Sequence, residues 1–184
     1  MSALTLHKMA IAPVVNGLKN AHSYITKGYE HAQAQSIDPN DFISASIHPD
    51  MKGFSYQVQR FTDAAKFIPS RVNPSLESIT LPDTEQTFPE LLERIEKTIK
   101  YLEGFKEKDF EGQEGHEVVI KLRNNTLQIK LSAMDYVAQY GHPNFWFHVT
   151  TAYDILRMKG VDVGKIDFLN GAKGIEVMPV PKED

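Results

Sequence analysis

Asn144 and His148 stand four residues apart in the stretch His142-Pro143-Asn144-Phe145-Trp146-Phe147-His148-Val149-Thr150-Thr151-Ala152-Tyr153-Asp154-Ile155-Leu156-Arg157, a spacing that sets them on one helix face, one turn apart. His148 also falls on the apolar stripe Met134, Ala138, Gly141, Phe145, Val149, Ala152 and Leu156, so its imidazole is expected to point toward a core. There it can serve as a general base or a metal ligand with the Asn144 amide beside it. It can equally be a core histidine satisfied by one hydrogen bond. Zinc at this spacing asks for two imidazoles, and an amide is a poor ligand for it, so a tight zinc site is not expected.

Five other residues are candidates for lining the same place. Gln57 and Gln59 are the polar residues nearest the stripe Phe54, Val58, Phe61, and either can face a pocket or sit at a solvated helix edge. His48 and Asp50 flank Pro49; the carboxylate can orient the imidazole, or Asp50 can cap the helix that follows, which is the simpler account. His142 precedes a proline and can turn into the cavity or out to solvent. His7, His22, His31 and His116 show no constellation and are expected at the surface.

The elements that position these residues follow from hydropathy spacing. Met9, Val14, Leu18, Ala21, Ile25 and Tyr29 predict a first helix over 7–35, bent or delayed near Pro13. Asp38-Pro39 predicts a short connector helix carrying Phe42, Ile43 and Ile47, with Pro39 in its first position. Phe54, Val58, Phe61, Ala65 and Ile68 predict the second long helix over 50–69. Residues 70–87, with Pro74 and Pro82, read as a long crossover or lid. Thr87 and Glu90 form a capping-box pattern before Leu91, Leu92, Ile95, Ile99 and Leu102, which predicts a third helix ending near Gly104, with Glu93–Lys97 and Glu96–Lys100 paired on its outer face.

From Glu117 to Leu131 the period changes to two around Arg123-Asn124-Asn125-Thr126, as in a hairpin, which must pack on the helices to be stable. Ser132 and Asp135 then start a fourth helix running to about Lys159, kinked at Pro143. The tail beyond Val161 is expected to lie on the surface, anchored by Phe168 and Leu169, partly ordered from about residue 170 and mobile over its last few residues. Phe145, Trp146, Phe147 and Tyr153 cannot all face one way, so at least one faces outward. The first helix, a second subunit or a ligand would cover it.

With 184 residues, 41% hydrophobic and 24% charged, the chain is expected to form a single domain. The net charge of −4 comes without a basic block, which disfavours nucleic acid as a partner. The absence of cysteine rules out a disulfide framework, thiolate metal sites and a cysteine nucleophile. No apolar run approaches the roughly 20 residues needed to span a bilayer, and the start lacks the pattern of a secretion signal. A cytoplasmic protein with no cofactor is expected.

Four phrases carry a resemblance: Pro49-Asp50-Met51, Gln57-Val58-Gln59, Phe110-Glu111-Gly112 and, above all, Pro143 to Arg157. Over about Met9 to Leu169 the chain resembles a helical-bundle family of unknown function found in bacteria and fungi, distantly similar to the DinB/YfiT superfamily. The resemblance implies an all-α four-helix bundle with a long crossover between helices two and three, a small β-hairpin inserted before helix four, and often a homodimer. The superfamily usually holds a divalent metal with one histidine on helix two and two at i,i+4 on helix four, and includes thiol-dependent transferases and isomerases. Here only His148 matches; Asn144 takes the other helix-four position, and Gln57 or Gln59 the helix-two position.

The leading expectation is therefore a small-molecule pocket between helices two and four without a tightly bound metal. His148, with a pKa near neutrality, would move protons on a carbonyl-containing metabolite, in isomerase, cyclase or lyase fashion, with Asn144 and Gln57 as orienting groups. One alternative is a non-catalytic binding or dimer-scaffold protein in which the His148 network fixes helix register. The other is a DinB-like metal enzyme, if Gln57, His48 or His142 completes the ligand set.

Overall fold

The hydroxyl of Thr5 accepts from the Lys8 amide and opens α1, Leu6–Ala34, in the computed structural model, which describes residues 4–180. The helix runs through Pro13 without a break, where the sequence predicts a bend or a delayed start. Its buried stripe includes Val14, Gly17, Leu18, Ala21, Tyr24, Ile25 and Gly28. The connector is one turn, α2, Asn40–Ile43, with Pro39 as its N-cap rather than its first residue and the Asp38 carboxylate accepting from the Asn40 amide.

The second long helix, α3, spans Phe54–Val72 and is shifted from the predicted 50–69 at both ends. Its N-cap is Gly53, not Asp50. The reason is tertiary: the Phe54 amide donates to the Ala45 carbonyl at 2.9 Å, and a Cβ on residue 53 would stand 2.8 Å from the Ser44 carbonyl oxygen. The connector thus closes on the helix start where only glycine fits. Pro69 is absorbed in the last turn.

The capping box forms as expected at α4, Phe88–Glu103: Thr87 Oγ1 accepts from the Glu90 amide, and the Glu90 carboxylate accepts from the Thr87 amide. Glu93 and Lys97 pair at 2.7 Å. Glu96 does not take the predicted Lys100 as its partner; it reaches His22 on α1 at 2.9 Å. A 3₁₀ turn, Glu107–Asp109, leads to the antiparallel hairpin of β1, Glu117–Leu122, and β2, Leu127–Ser132, in the register Glu117↔Ser132 to Leu122↔Leu127. Val118 and Ile120 are its buried face.

The predicted fourth helix is divided. Ser132 caps α5, Ala133–Tyr136, and a π turn over Val137–Gly141 leads into α6, His142–Met158. Pro143 explains the division, since it has no N–H and its ring crowds the carbonyl four residues back. Widening the ladder by one residue accommodates it where a kink was expected.

After Gly160, which takes φ 87°, the tail forms α7, Lys165–Asn170, on α1. Phe168 is an anchor, with ring centroids 5.6 Å from Tyr153, 6.0 Å from Trp146 and 6.4 Å from Tyr24. Leu169 is not: its side chain is exposed and only its carbonyl is held, by Asn20. The last residues, 181–184, where mobility was expected, lie outside the described residues.

The fold is mostly helical with one small hairpin. Helices α1, α3, α4 and α6 enclose one core, with α3 against α6 and α1 against α4 as the main pairs. Phe145 is buried, Trp146 is covered by α1 and α7 of the same chain, and Phe147 is 57% exposed. A Cβ on Gly17 would lie 2.6 Å from Trp146 Cη2 and 2.9 Å from Phe145 Cε1. Gly17→Ala gains helix propensity of about 1 kcal/mol but overpacks the core by about 1–3 kcal/mol, so we expect a net loss in urea-unfolding free energy, with a gain excluding so tight a contact.

Candidate functional site

His148 sits on α6 where that helix packs on α3, and its half-buried ring is the centre of the site. Its Nδ1 lies 2.7 Å from Gln57 Oε1, and Gln57 Nε2 donates to the Lys52 carbonyl at 2.8 Å. Gln57 is only 2% exposed, so both ends of its amide are committed. A carbonyl can only accept, so the Lys52 contact fixes the amide orientation, and Oε1 then requires a proton on Nδ1. In the neutral ring Nε2 is left as a bare acceptor. It has no partner among the described residues and is not sealed from solvent. The fold thus holds one tautomer and presents one lone pair outward, as the outer partners of catalytic and ligating histidines do.

The surroundings keep this imidazole neutral. Burial pushes its pKa down to about 4, and the nearby positive charge of Arg60 adds to that. This corrects the expectation of a near-neutral titration. Tyr56 meets the His148 ring edge-on at 6.3 Å, Phe147 at 5.1 Å, and the Arg60 guanidinium lies over the Tyr56 ring at 5.1 Å. Arg60 is held by Asp63 and Asp83.

The other expected residues part company. Asn144 lies one turn before His148, half-buried, and its amide has no hydrogen bond among the described residues. Gln59 is buried too, not a solvated edge, but it donates to Glu85 on the opposite side of α3 from Gln57. His48 and Asp50 pair with each other at 2.5 Å in the exposed connector, and Asp50 caps nothing. His142 Nε2 donates to the Ala10 carbonyl on α1 and, with burial as the main cause, its pKa is lowered.

The metal triad implied by the superfamily does not fit these donors. Around His148 stand amides, and its Nδ1 is engaged by Gln57. Neither His48 nor His142 joins it, and among the described residues no three His, Asp or Glu side chains converge for a metal.

Sequence reasoning missed the charge network behind the site. Arg94 of α4, with a side chain 1% exposed, donates through Nε to Thr62 Oγ1, through Nη1 to the Pro82 carbonyl and Glu85, and through Nη2 to Asp63, with Asp83 at 3.1 Å. Lys66 and Arg60 complete it by pairing with Asp63. Its signal was present, since Arg94 lies three residues after Leu91 and four before Thr98, on the face that turns inward.

Comparison with known proteins gives three findings. The model of a domain family of unknown function, DUF1993, matches residues 6–169. A crystal structure of a DinB family member protein from Shewanella denitrificans is similar over 97% of this chain and 96% of that one, with a TM-score of 0.81 and 30% sequence identity. No curated protein matches. No described helix is long and apolar enough to cross a membrane.

Proposed function

We propose that this chain, which belongs to the DUF1993 family, is a four-helix-bundle protein that binds a small organic molecule at the α3/α6 face and uses His148 Nε2 toward it. The observation that supports this most is the fixed tautomer: Gln57 and the Lys52 carbonyl fix Nδ1 as donor and leave Nε2 as an outward acceptor. Proton transfer of the isomerase, cyclase or lyase type is the chemistry such a group offers, with Asn144 as the polar group beside it. A base works best when its pKa lies near the working pH, so a ring whose pKa is about 4 needs the bound ligand to raise it. A ligand that brings negative charge next to Arg60 does so.

The second reading, a register-fixing polar network without catalysis, is favoured by Gln57 being buried and engaged at both ends. A thermal-shift screen of small metabolites on wild type and His148→Ala separates the two. Hits that vanish in a folded His148→Ala protein support the binding site. An absence of hits, together with a large stability loss in His148→Ala, favours the network. For any substrate so found, unchanged turnover in His148→Ala would end the proton-transfer assignment.

A further inference from the structure

We propose that the ligand of this site is a small organic acid whose anionic group is held by Arg60 and whose hydroxyl donates to His148 Nε2. The inference rests on the α3/α6 face being a binding site and adds what it selects. Nε2 carries no proton while Nδ1–H donates to Gln57, so it accepts only, and the ligand must bring a donor. Arg60 supplies the opposite demand. Its Nη2 serves Asp63 and Asp83, its Nε is closed off without a partner, and its Nη1 has no hydrogen bond among the described residues yet is not sealed from solvent.

Arg60 is near enough to the imidazole to act on it, lowering its pKa in second place to burial. A charge-assisted contact at Nη1 is the stronger of the two anchors. Both groups pack against one ring, Arg60 over Tyr56 at 5.1 Å and His148 edge-on to it at 6.3 Å, so one small molecule can reach both. An acid group and a hydroxyl on the same small ligand would meet the two demands. Tyr56 and Phe147, 38% and 57% exposed, flank the imidazole as apolar walls for the rest of the molecule, and the free Asn144 amide can bond either oxygen.

The test uses the full chain, with the His148 ring and Arg60 side-chain NMR signals followed during titration with three probes. Mandelate carries the acid, the hydroxyl and an apolar ring; phenylacetate lacks the hydroxyl; mandelamide lacks the charge. Mandelate is expected to shift both signals saturably and to bind about tenfold or more tightly than either analogue. Arg60→Gln should weaken mandelate to the level of mandelamide, while Arg60→Lys, which keeps a cation if the first variant folds poorly, should retain preference for the acid. Mandelamide binding as well as mandelate would overturn the acid while leaving the binding site standing, and phenylacetate binding as well as mandelate would overturn the hydroxyl contact. No shift at His148 with any of the three would overturn the inference, while the binding-site reading would stand or fall by the metabolite screen on wild type and His148→Ala.

Discussion

Arg94→Ala is expected to lower the unfolding free energy by about 3–5 kcal/mol, the cost typical of removing one partner from a buried ion pair. The guanidinium fills most of its donor positions at once, bridging Thr62, the Pro82 carbonyl, Glu85 and Asp63. Those groups come from α3 and from the crossover that links α3 to α4, so one side chain ties the longest connection of the fold to two of its helices. Without it Glu85 keeps only Gln59, and Asp63 and Asp83 depend on Arg60 and Lys66. Arg94→Lys should recover little, since a point charge cannot fill a planar fork. Urea unfolding gives the magnitude, and hydrogen exchange gives the location: amides between residues 73 and 87 should open faster. A loss under about 1 kcal/mol would put the network in the class of exposed pairs that contribute almost nothing.

The same arginine shows where the sequence is legible and where it is not. Local signals read directly: Thr87 with Glu90, Ser132 with Asp135, the alternation from Val118 to Leu131, and the stop at Gly160 all depend on neighbours within a turn or across a hairpin. What failed depends on contacts far along the chain. Gly53 starts α3 because the Ser44 carbonyl crowds it, and the surface tail, held by Phe168 as expected, is helical there while Leu169 stays exposed, because only the Phe168 ring meets three rings from elsewhere in the chain.

Gln57 and Gln59 are the instructive pair. They lie two residues apart on one helix and therefore face nearly opposite ways, yet periodicity does not say which neighbour each one meets. The structure gives Gln57 to His148 and Gln59 to Glu85. The proline at 143 was legible as a disturbance, but its resolution as a π turn depends on how α5 and α6 pack on α3.

Gln57→Glu is expected to invert the character of His148. In the wild-type protein the ring stays neutral down to about pH 4, whereas in an unfolded chain it titrates near about 6.5. As pH falls through that range the unfolded state takes up a proton that the folded state refuses, so this residue's contribution to stability is full above about 6.5 and lost by about 4. A carboxylate at position 57 would accept the same Nδ1–H but favour the charged ring, raising its pKa by about 1–3 pH units. The acid-linked loss should then narrow, at the expense of the hydrogen bond to the Lys52 carbonyl, for which the new carboxylate has no proton to donate. Ring nitrogen shifts followed from about pH 3.5 to 8, with urea midpoints at about pH 7.5 and 4.5, read both effects, and His148→Gln should remove this residue's share of the pH dependence. A wild-type ring titrating near about 6.5, its unperturbed value, would mean that burial and Arg60 do not act on it as the geometry requires, and the outward lone pair at Nε2 would no longer be held neutral by the fold.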